Sequence, residues 1–395
     1  MEPVIVIPTY WASARADARA FGSYDHATLL DSPSPELDRC LASLEQVHDV
    51  APIVLLVVCP LSATGEVVRR VGKIVEAHPS LAITTVTNDE AALVMEEVER
   101  IAPRGAGECV SLRGYGAIRN MGLAVAAIQG RDTVVFLDDD EVAIDSAFMA
   151  EARYALGHET RQGLPILAKS GYYYNEAGSP FADEGKVGPG MRWWTRRAEF
   201  NEWMRRALGG TRISRSNYLC GGCCALSARA FTRVAFDPYI TRGEDLDYLC
   251  NLRLHGLDVW FDNAWAVRHL PPSGEGGAQR FMADVYRWYY ERAKLADASR
   301  RNDLTSVTAA SLMPYPGPWF SDELDARVRK TALARALTTS ERGAYWDIYR
   351  HGKDQAERYA SEHRGNYLRI QSFWPAIMDG LWNNTALASR LEDRR

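Results

Sequence analysis

The run 133–137, Thr-Val-Val-Phe-Leu, leads directly into Asp138, Asp139, Asp140 and Glu141. A short β-branched and aromatic run of this kind reads as a buried central strand. In an open α/β sheet, ligands bind beyond the carboxyl ends of the strands, so the carboxylates fall where a ligand sits. Like charges crowded at one strand end repel one another unless a cation compensates them. The economical reading is a divalent metal, Mg²⁺ or Mn²⁺, held by one or two carboxylates and completed by phosphate oxygens. The alternative is a solvated acidic turn, which has no need of so apolar a strand leading into it.

The rest of the chain alternates around that strand. Val4-Ile5-Val6-Ile7 reads as a first parallel strand that stops at Pro8-Thr9-Tyr10-Trp11 and delivers this loop to the ligand edge. Tyr10 or Trp11 would either stack on a base or pack under the following loop. Residues 12–36 make a connection too long to be a plain one, and so a functional loop is expected there. Helices are predicted at 37–47, 66–77, 89–102 and 146–156, with strands at 53–58 and 82–86. This alternation predicts βαβ units and an α/β fold with a mainly parallel sheet flanked by helices. From residue 279 the pattern changes to long helical segments, which divides the chain into a catalytic part, 1–275, and a helical C-terminal region, 276–395. In that region Phe281, Val285, Trp288 and Tyr289 share a helix face, which packs either on the catalytic part or on a second copy in a homo-oligomer.

Composition excludes several classes. A net charge of −5 gives no electrostatic reason to expect nucleic acid as a partner. Seven cysteines, an odd number in a long chain, make no disulfide framework and favour a reducing compartment. The most apolar window, 53–59, is far short of the ~20 residues of a membrane-spanning helix, and the first residues lack a signal-peptide pattern. No transmembrane segment is expected. The cytoplasm is the expected location, with peripheral membrane contact left open.

Other stretches carry candidate chemistry. Arg119 and Asn120 lie where a glycine-containing loop, 113–116, runs into an Ala-rich helix, a setting in which cations and amides meet phosphate or sugar hydroxyls. The segment 171–210 is rich in aromatic residues, including Trp193 and Trp194, whose faces suit either a carbohydrate ring or a core. Cys220, Cys223 and Cys224 lack a nearby histidine and read as small buried hydrophobes rather than as a zinc site. Gly221 and Gly222 among them let backbone approach a ligand. Glu244 and Asp245 begin a helix, where carboxylates either stabilise the terminus or supply a general base. His269 follows a short apolar segment as a further metal ligand or phosphate donor.

Together these pieces resemble the family-2 inverting glycosyltransferases of the GT-A fold, a Rossmann-like sheet. The resemblance rests on the strand ending in Pro8-Thr9-Tyr10, the Arg119-Asn120-x-Gly122 helix start, Asp138-Asp139-Asp140, and the series Gly221-Gly222, Glu244-Asp245, His269. It covers about residues 4–272 and omits the helical C-terminal region. It implies a metal-dependent hexosyltransferase that takes a UDP- or GDP-sugar and a saccharide or other hydroxyl acceptor. Asp138, Asp140 and His269 would hold Mn²⁺ or Mg²⁺, and Asp138 and Asp139 would meet the donor. Pro8, Thr9 and Tyr10 would line the nucleoside pocket, with Arg119 and Asn120 at the border of the donor. Gly221 and Gly222, with Trp193 and Trp194, would face the acceptor. Asp245 would be the base, with Glu244 beside it. The chain departs from many relatives in carrying Cys59-Pro60 where they place an aspartate for uracil. The rivals are a retaining transferase on the same fold, a nucleotidyltransferase, and a carbohydrate-binding protein with a vestigial site.

Overall fold

A computed structural model of the chain describes residues 1–13, 27–185, 188, 192–272 and 277–392. Most of the loop expected at 12–36, and the division read at 275, lie outside the described residues. The strands are β1 (Pro3–Ala12), β2 (Thr28–Leu29), β3 (Ile53–Val58), β4 (Ile83–Val86), β5 (Thr133–Phe136), β6 (Glu141–Ala143), β7 (Ala168–Tyr174), β8 (Ile213–Arg215), β9 (Cys224–Ser227) and β10 (Val259–His269). They form one sheet in the order β4-β3-β1-β5-β9-β7-β10-β6, with β2 on β1 and β8 on β10. The first four strands of that order are parallel. β9 then runs antiparallel between β5 and β7, and β7 pairs parallel with β10. The α/β sheet read from the sequence is therefore present.

Two-residue alternation explains why the central strands are apolar throughout. Val4, Val6, Val54, Leu56, Val134 and Phe136 face one core, while Ile5, Ile7, Leu55, Val57, Val135 and Leu137 face the other. A strand covered on both faces needs apolar residues at every position. β1 runs to Ala12 instead of stopping at Pro8. Its pairing with β5 ends at Val6, whereas its pairing with β3 continues to Tyr10. Pro8 thus sits where the ladder is one-sided, the place a residue without an N–H is tolerated in a sheet.

Helices α1 (Glu36–Leu44), α2 (Thr64–Glu76), α3 (Asn88–Ile101), α4 (Tyr115–Ile128), α5 (Phe148–Arg153), α6 (Arg196–Leu208), α7 (Ala228–Phe231) and α8 (Glu244–Leu254) connect the strands. The long α9 (Ala278–Ala298) is followed by α10 (Leu324–Thr338), α11 (Arg342–Asp347), α12 (Lys353–His363), α13 (Asn366–Leu381) and α14 (Thr385–Glu392). Phe281, Val285, Trp288 and Tyr289 of α9 are buried with Tyr172 and Phe261 of the sheet, so that face is covered within the chain. Trp374, Ile377 and Leu381 of α13 and Leu387 of α14 likewise join the core that holds Val4 and Val134. No described helix is long and apolar enough to cross a membrane.

The loop before α8 crosses the start of α4 without room for a side chain. A Cβ at Gly116 would collide with the carbonyl oxygen of Asp237 and lie 3.1 Å from Pro238 N. Backbone cannot swing away as a side-chain tip can, so Gly116→Ala is expected to cost about 1–3 kcal/mol, the usual cost of overpacking. Urea denaturation of the variant and the parent chain reads that difference.

Candidate active site

The acidic cluster lies at the carboxyl edge of the parallel strands, as the strand order requires. β5 ends at Phe136, and the backbone turns at Asp138 before β6 begins at Glu141. The four carboxylates do not point the same way. Asp139 is buried and accepts a 2.7 Å bond from Thr9 Oγ1, which in turn accepts one from Trp11 Nε1. Asp138 is partly exposed and pairs with Arg119 at 2.8 Å. Asp140 Oδ2 lies 3.0 Å from His269 Nε2 at the end of β10. Glu141 is buried, and its Oε2 has no hydrogen-bond partner.

Electrostatics follow from this crowding. Burial, with Asp138 and Asp140 nearby, pushes the Glu141 carboxyl well above its usual range, against the pull of His269. Burial would lower His269, but the hydrogen bond to Asp140 and the surrounding carboxylates raise it to about 9. Tyr173 lies edge-on to the imidazole with ring centres 5.1 Å apart. Cys40 lies beneath the cluster, its Sγ 3.7 Å from the Asp138 carbonyl oxygen, and burial and all four carboxylates push its thiol upward.

Arg119 joins the cluster to the start of α8. It is 5 % exposed and bonds Asp138 Oδ1 at 2.8 Å and Glu244 Oε1 at 3.2 Å, while its buried Nη1 has no hydrogen-bond partner. Burial raises Glu244 to about 7, with Arg119 opposing and Asp245 and Asp138 adding to the rise. Asp245 is more open than Glu244 and accepts a 2.6 Å bond from Leu246 N. Gly221 and Gly222 lie between the two acidic groups. A Cβ at Gly222 would collide with Glu141 Oε2 and lie 2.9 Å from Asp138 Cγ. One at Gly221 would lie 2.9 Å from Arg119 Nη2 and 3.5 Å from Asp245 Cβ. The fold thus gathers Arg119, Asp138, Glu141, Gly221, Gly222, Glu244 and Asp245 from four separate segments, with Asp140 and His269 adjoining through Glu141.

Other expected residues are placed differently. Asn120 is fully buried and ties backbone to backbone: it donates to Cys109 O and Phe236 O and accepts from Phe236 N. Trp11 is a core residue, while Tyr10 is half-buried, edge-on to Tyr115. Pro8 is buried within β1. Trp194 packs between Phe281 and Trp319 at 4.8 and 4.6 Å in the aromatic core, and Trp193 is half-buried with Arg192 and Lys330 over its ring. Sequence reasoning counted Glu141 in the acidic run and Tyr173 in the aromatic segment without giving either a role of its own, and assigned none to Cys40.

Asp140 and His269 fit a divalent cation. They stand 3.0 Å apart as a hydrogen-bonded pair, and the imidazole, which burial would lower but that bond raises to about 9, would give up its proton to take the ion. Among the described residues no three metal-binding side chains converge, because Asp138 turns to Arg119. Two protein ligands, with phosphate oxygens and water completing the shell, is a normal arrangement for such cations.

Three arginines surround a buried carboxylate of α9. Burial would raise Asp284 of α9, but Arg196 at 3.3 Å, Arg242 at 2.7 Å and Arg287 hold it down to about 2. A carboxylate held below its ordinary 3.8 stabilises the fold above about pH 4, and that stabilisation fades as pH falls towards 2. At 1.36 kcal/mol per pH unit the contribution at neutral pH is about 2 kcal/mol. Asp284→Asn is expected to lose that amount at pH 7 and only about a third of it at pH 2.5, measured by urea denaturation across the range.

An open α/β sheet with acidic groups and an imidazole gathered at the carboxyl edge of its strands is the frame in which the comparison with known families stands. Residues 51–291 match the model of the family described as Glycosyltransferase like family 2, and the chain belongs to that family. It is a glycosyltransferase, as the sequence resemblance implied. Among solved structures it is similar to the mannosyltransferase PcManGT from Pyrobaculum calidifontis in complex with GDP-Man and Mn²⁺, at 15% identity over 94% of this chain and 86% of that one, with a TM-score of 0.47. It is also similar to GalNAc-T7 with UDP, GalNAc and Mn²⁺, at 11% identity over 92% of this chain and 58% of that one, with a TM-score of 0.39. No curated protein sequence gives a match. The family match carries the assignment, and TM-scores this low add nothing to it.

Proposed function

We propose that this glycosyltransferase moves a hexose from a nucleoside diphosphate sugar to an acceptor hydroxyl with inversion, using Asp140 and His269 as cation ligands and Asp245 as base. The observation that carries the reading is the Gly221-Gly222 turn, which has the Asp138–Glu141 cluster on one side and Asp245 on the other. Asp140 and His269 would hold a divalent cation, which would supply Lewis-acid stabilisation of the departing diphosphate. Arg119 is the second positive group there. Its guanidinium, held between Asp138 and Glu244, puts a positive charge beside the acidic turn, where it would oppose the charge of the diphosphate.

Inversion needs a base on the face of the sugar opposite the leaving group. Of the two adjacent carboxylates, Glu244 is buried on Arg119, whereas Asp245 is the more open. Asp245 is therefore assigned to the acceptor proton, and the acceptor to the surface over Gly221 and Gly222, where a side chain would obstruct it. Thr9 and Asp139, bonded to each other, support the donor side by holding the end of β1 against the acidic turn.

Incubation with a panel of UDP- and GDP-hexoses and Mn²⁺ tests the reading. Expected are turnover of one donor, loss of that turnover in EDTA and its return with Mn²⁺, and a product anomer inverted by proton NMR. A retained anomer would remove Asp245 from the base role, and turnover indifferent to EDTA would remove the cation.

A further inference from the structure

A cavity of about 560 Å³ opens well away from the acidic crevice, between α6, β8, the C-terminal end of α8 and the segment 305–314. That volume lies within the range of small-molecule sites. Its charged lining comprises Arg206, Arg215, Arg253 and one carboxylate, Asp258, with Arg206 also paired to Glu202 of its own helix. Arg215 pairs with Asp258 at 2.7 Å and is 63% exposed, so its outer edge is open to the cavity mouth. Arg253 is only 7 % exposed. Its Nη2 donates to Ser216 O and Asn217 Oδ1 at 2.7 Å each, while its Nε has no hydrogen-bond partner and stands 3.8 Å from Asp258 Oδ1.

Arg253 thus adds a fixed positive charge behind the wall, while Arg206 and Arg215, both more than half exposed, can reach a ligand. Hydroxyls from Ser306 and its neighbours, and the edge of Trp203, make up much of the remaining wall. Guanidinium groups match the oxygens of a phosphate in paired hydrogen bonds, and hydroxyls match sugar hydroxyls. We propose that this cavity is a second binding site, selective for a phosphorylated, sugar-sized molecule. It is separate from the catalytic crevice: Arg253 lies nine residues beyond Glu244 along α8, about 14 Å at the helical rise. The site does not depend on the reaction proposed above.

Calorimetric titration of glucose 6-phosphate into the full chain tests it, with neutral glucose as the control ligand. Expected is one saturable site per chain, at least tenfold weaker for glucose and at least tenfold weaker in the Arg206→Ala/Arg215→Ala double variant. Both of those arginines are more than half exposed, so their removal spares the fold. Asp140→Ala, which alters the catalytic crevice, leaves the affinity unchanged. Three results would overturn the proposal: no saturable binding, equal affinity for glucose, or binding lost in Asp140→Ala but kept in the double arginine variant.

Discussion

Lys294→Met lowers the unfolding free energy by about 3–5 kcal/mol, the usual cost of removing one partner of a buried ion pair. Lys294 is fully buried in α9, and its Nζ bonds Asp237 Oδ2 at 2.8 Å, Asn251 Oδ1 at 3.0 Å and Asp247. Tyr290 adds a 2.7 Å bond to the same Asp237 oxygen, and Asn251 Nδ2 holds Asp247 Oδ2 at 2.8 Å. Burial alone would lower the ammonium, but the two carboxylates raise it above the usual lysine value. Burial raises Asp247 to about 6 against the pull of Lys294. With methionine in place, two carboxylates are left in the interior with no cation between them. The effect is large because this cluster joins three elements: α9, the helix α8 that begins with Glu244 and Asp245, and the loop that crosses Gly116. Guanidinium denaturation reads it, and a change below about 1 kcal/mol would mean that the carboxylates find water or protons instead.

Asp245→Asn lowers kcat by about 10²- to 10⁴-fold, the range general-base catalysis supplies. Asparagine keeps an oxygen for Leu246 N, which Asp245 holds at 2.6 Å, so the start of α8 is preserved and the melting temperature stays within a degree or two. The donor KM should change little, because the proposal assigns Asp245 to the acceptor. Glu244→Gln is the contrasting variant: it weakens the Arg119 pairing and should affect stability and donor affinity together. An Asp245→Asn enzyme retaining more than a tenth of its kcat would assign the proton to another group.

The central parallel strands were legible because burial on both faces leaves a continuous apolar run, as in β1, β3 and β5. β9 was not, because Cys224 to Ser227 is short and its antiparallel pairing leaves no mark in composition. β7 was hidden in an aromatic stretch whose alternate tyrosines go to different surroundings: Tyr172 to the core and Tyr173 to His269. β10 reads as two pieces in sequence because its register with β7 shifts between Phe261 and Ala266. In the site, charge clustering made Asp138, Asp140, Asp245 and His269 visible at a distance in sequence. What could not be read is which carboxylate takes which partner. Asp139 bonds Thr9 and Asp138 bonds Arg119 through contacts spanning 130 and 19 residues, and neither leaves a local pattern. Trp194 shows the same limit, since an aromatic side chain fits a sugar face and a core equally well until its neighbours are known.

The central claim is that Asp140 and His269 together hold a divalent cation against the diphosphate. A crystal grown with Mn²⁺ and GDP or UDP, with data collected at the manganese absorption edge, tests it most directly. The account predicts one anomalous peak within about 2.3 Å of both Asp140 Oδ2 and His269 Nε2 and of a phosphate oxygen. A nucleotide bound in the crevice with no peak there, or with manganese held by other side chains, would contradict it.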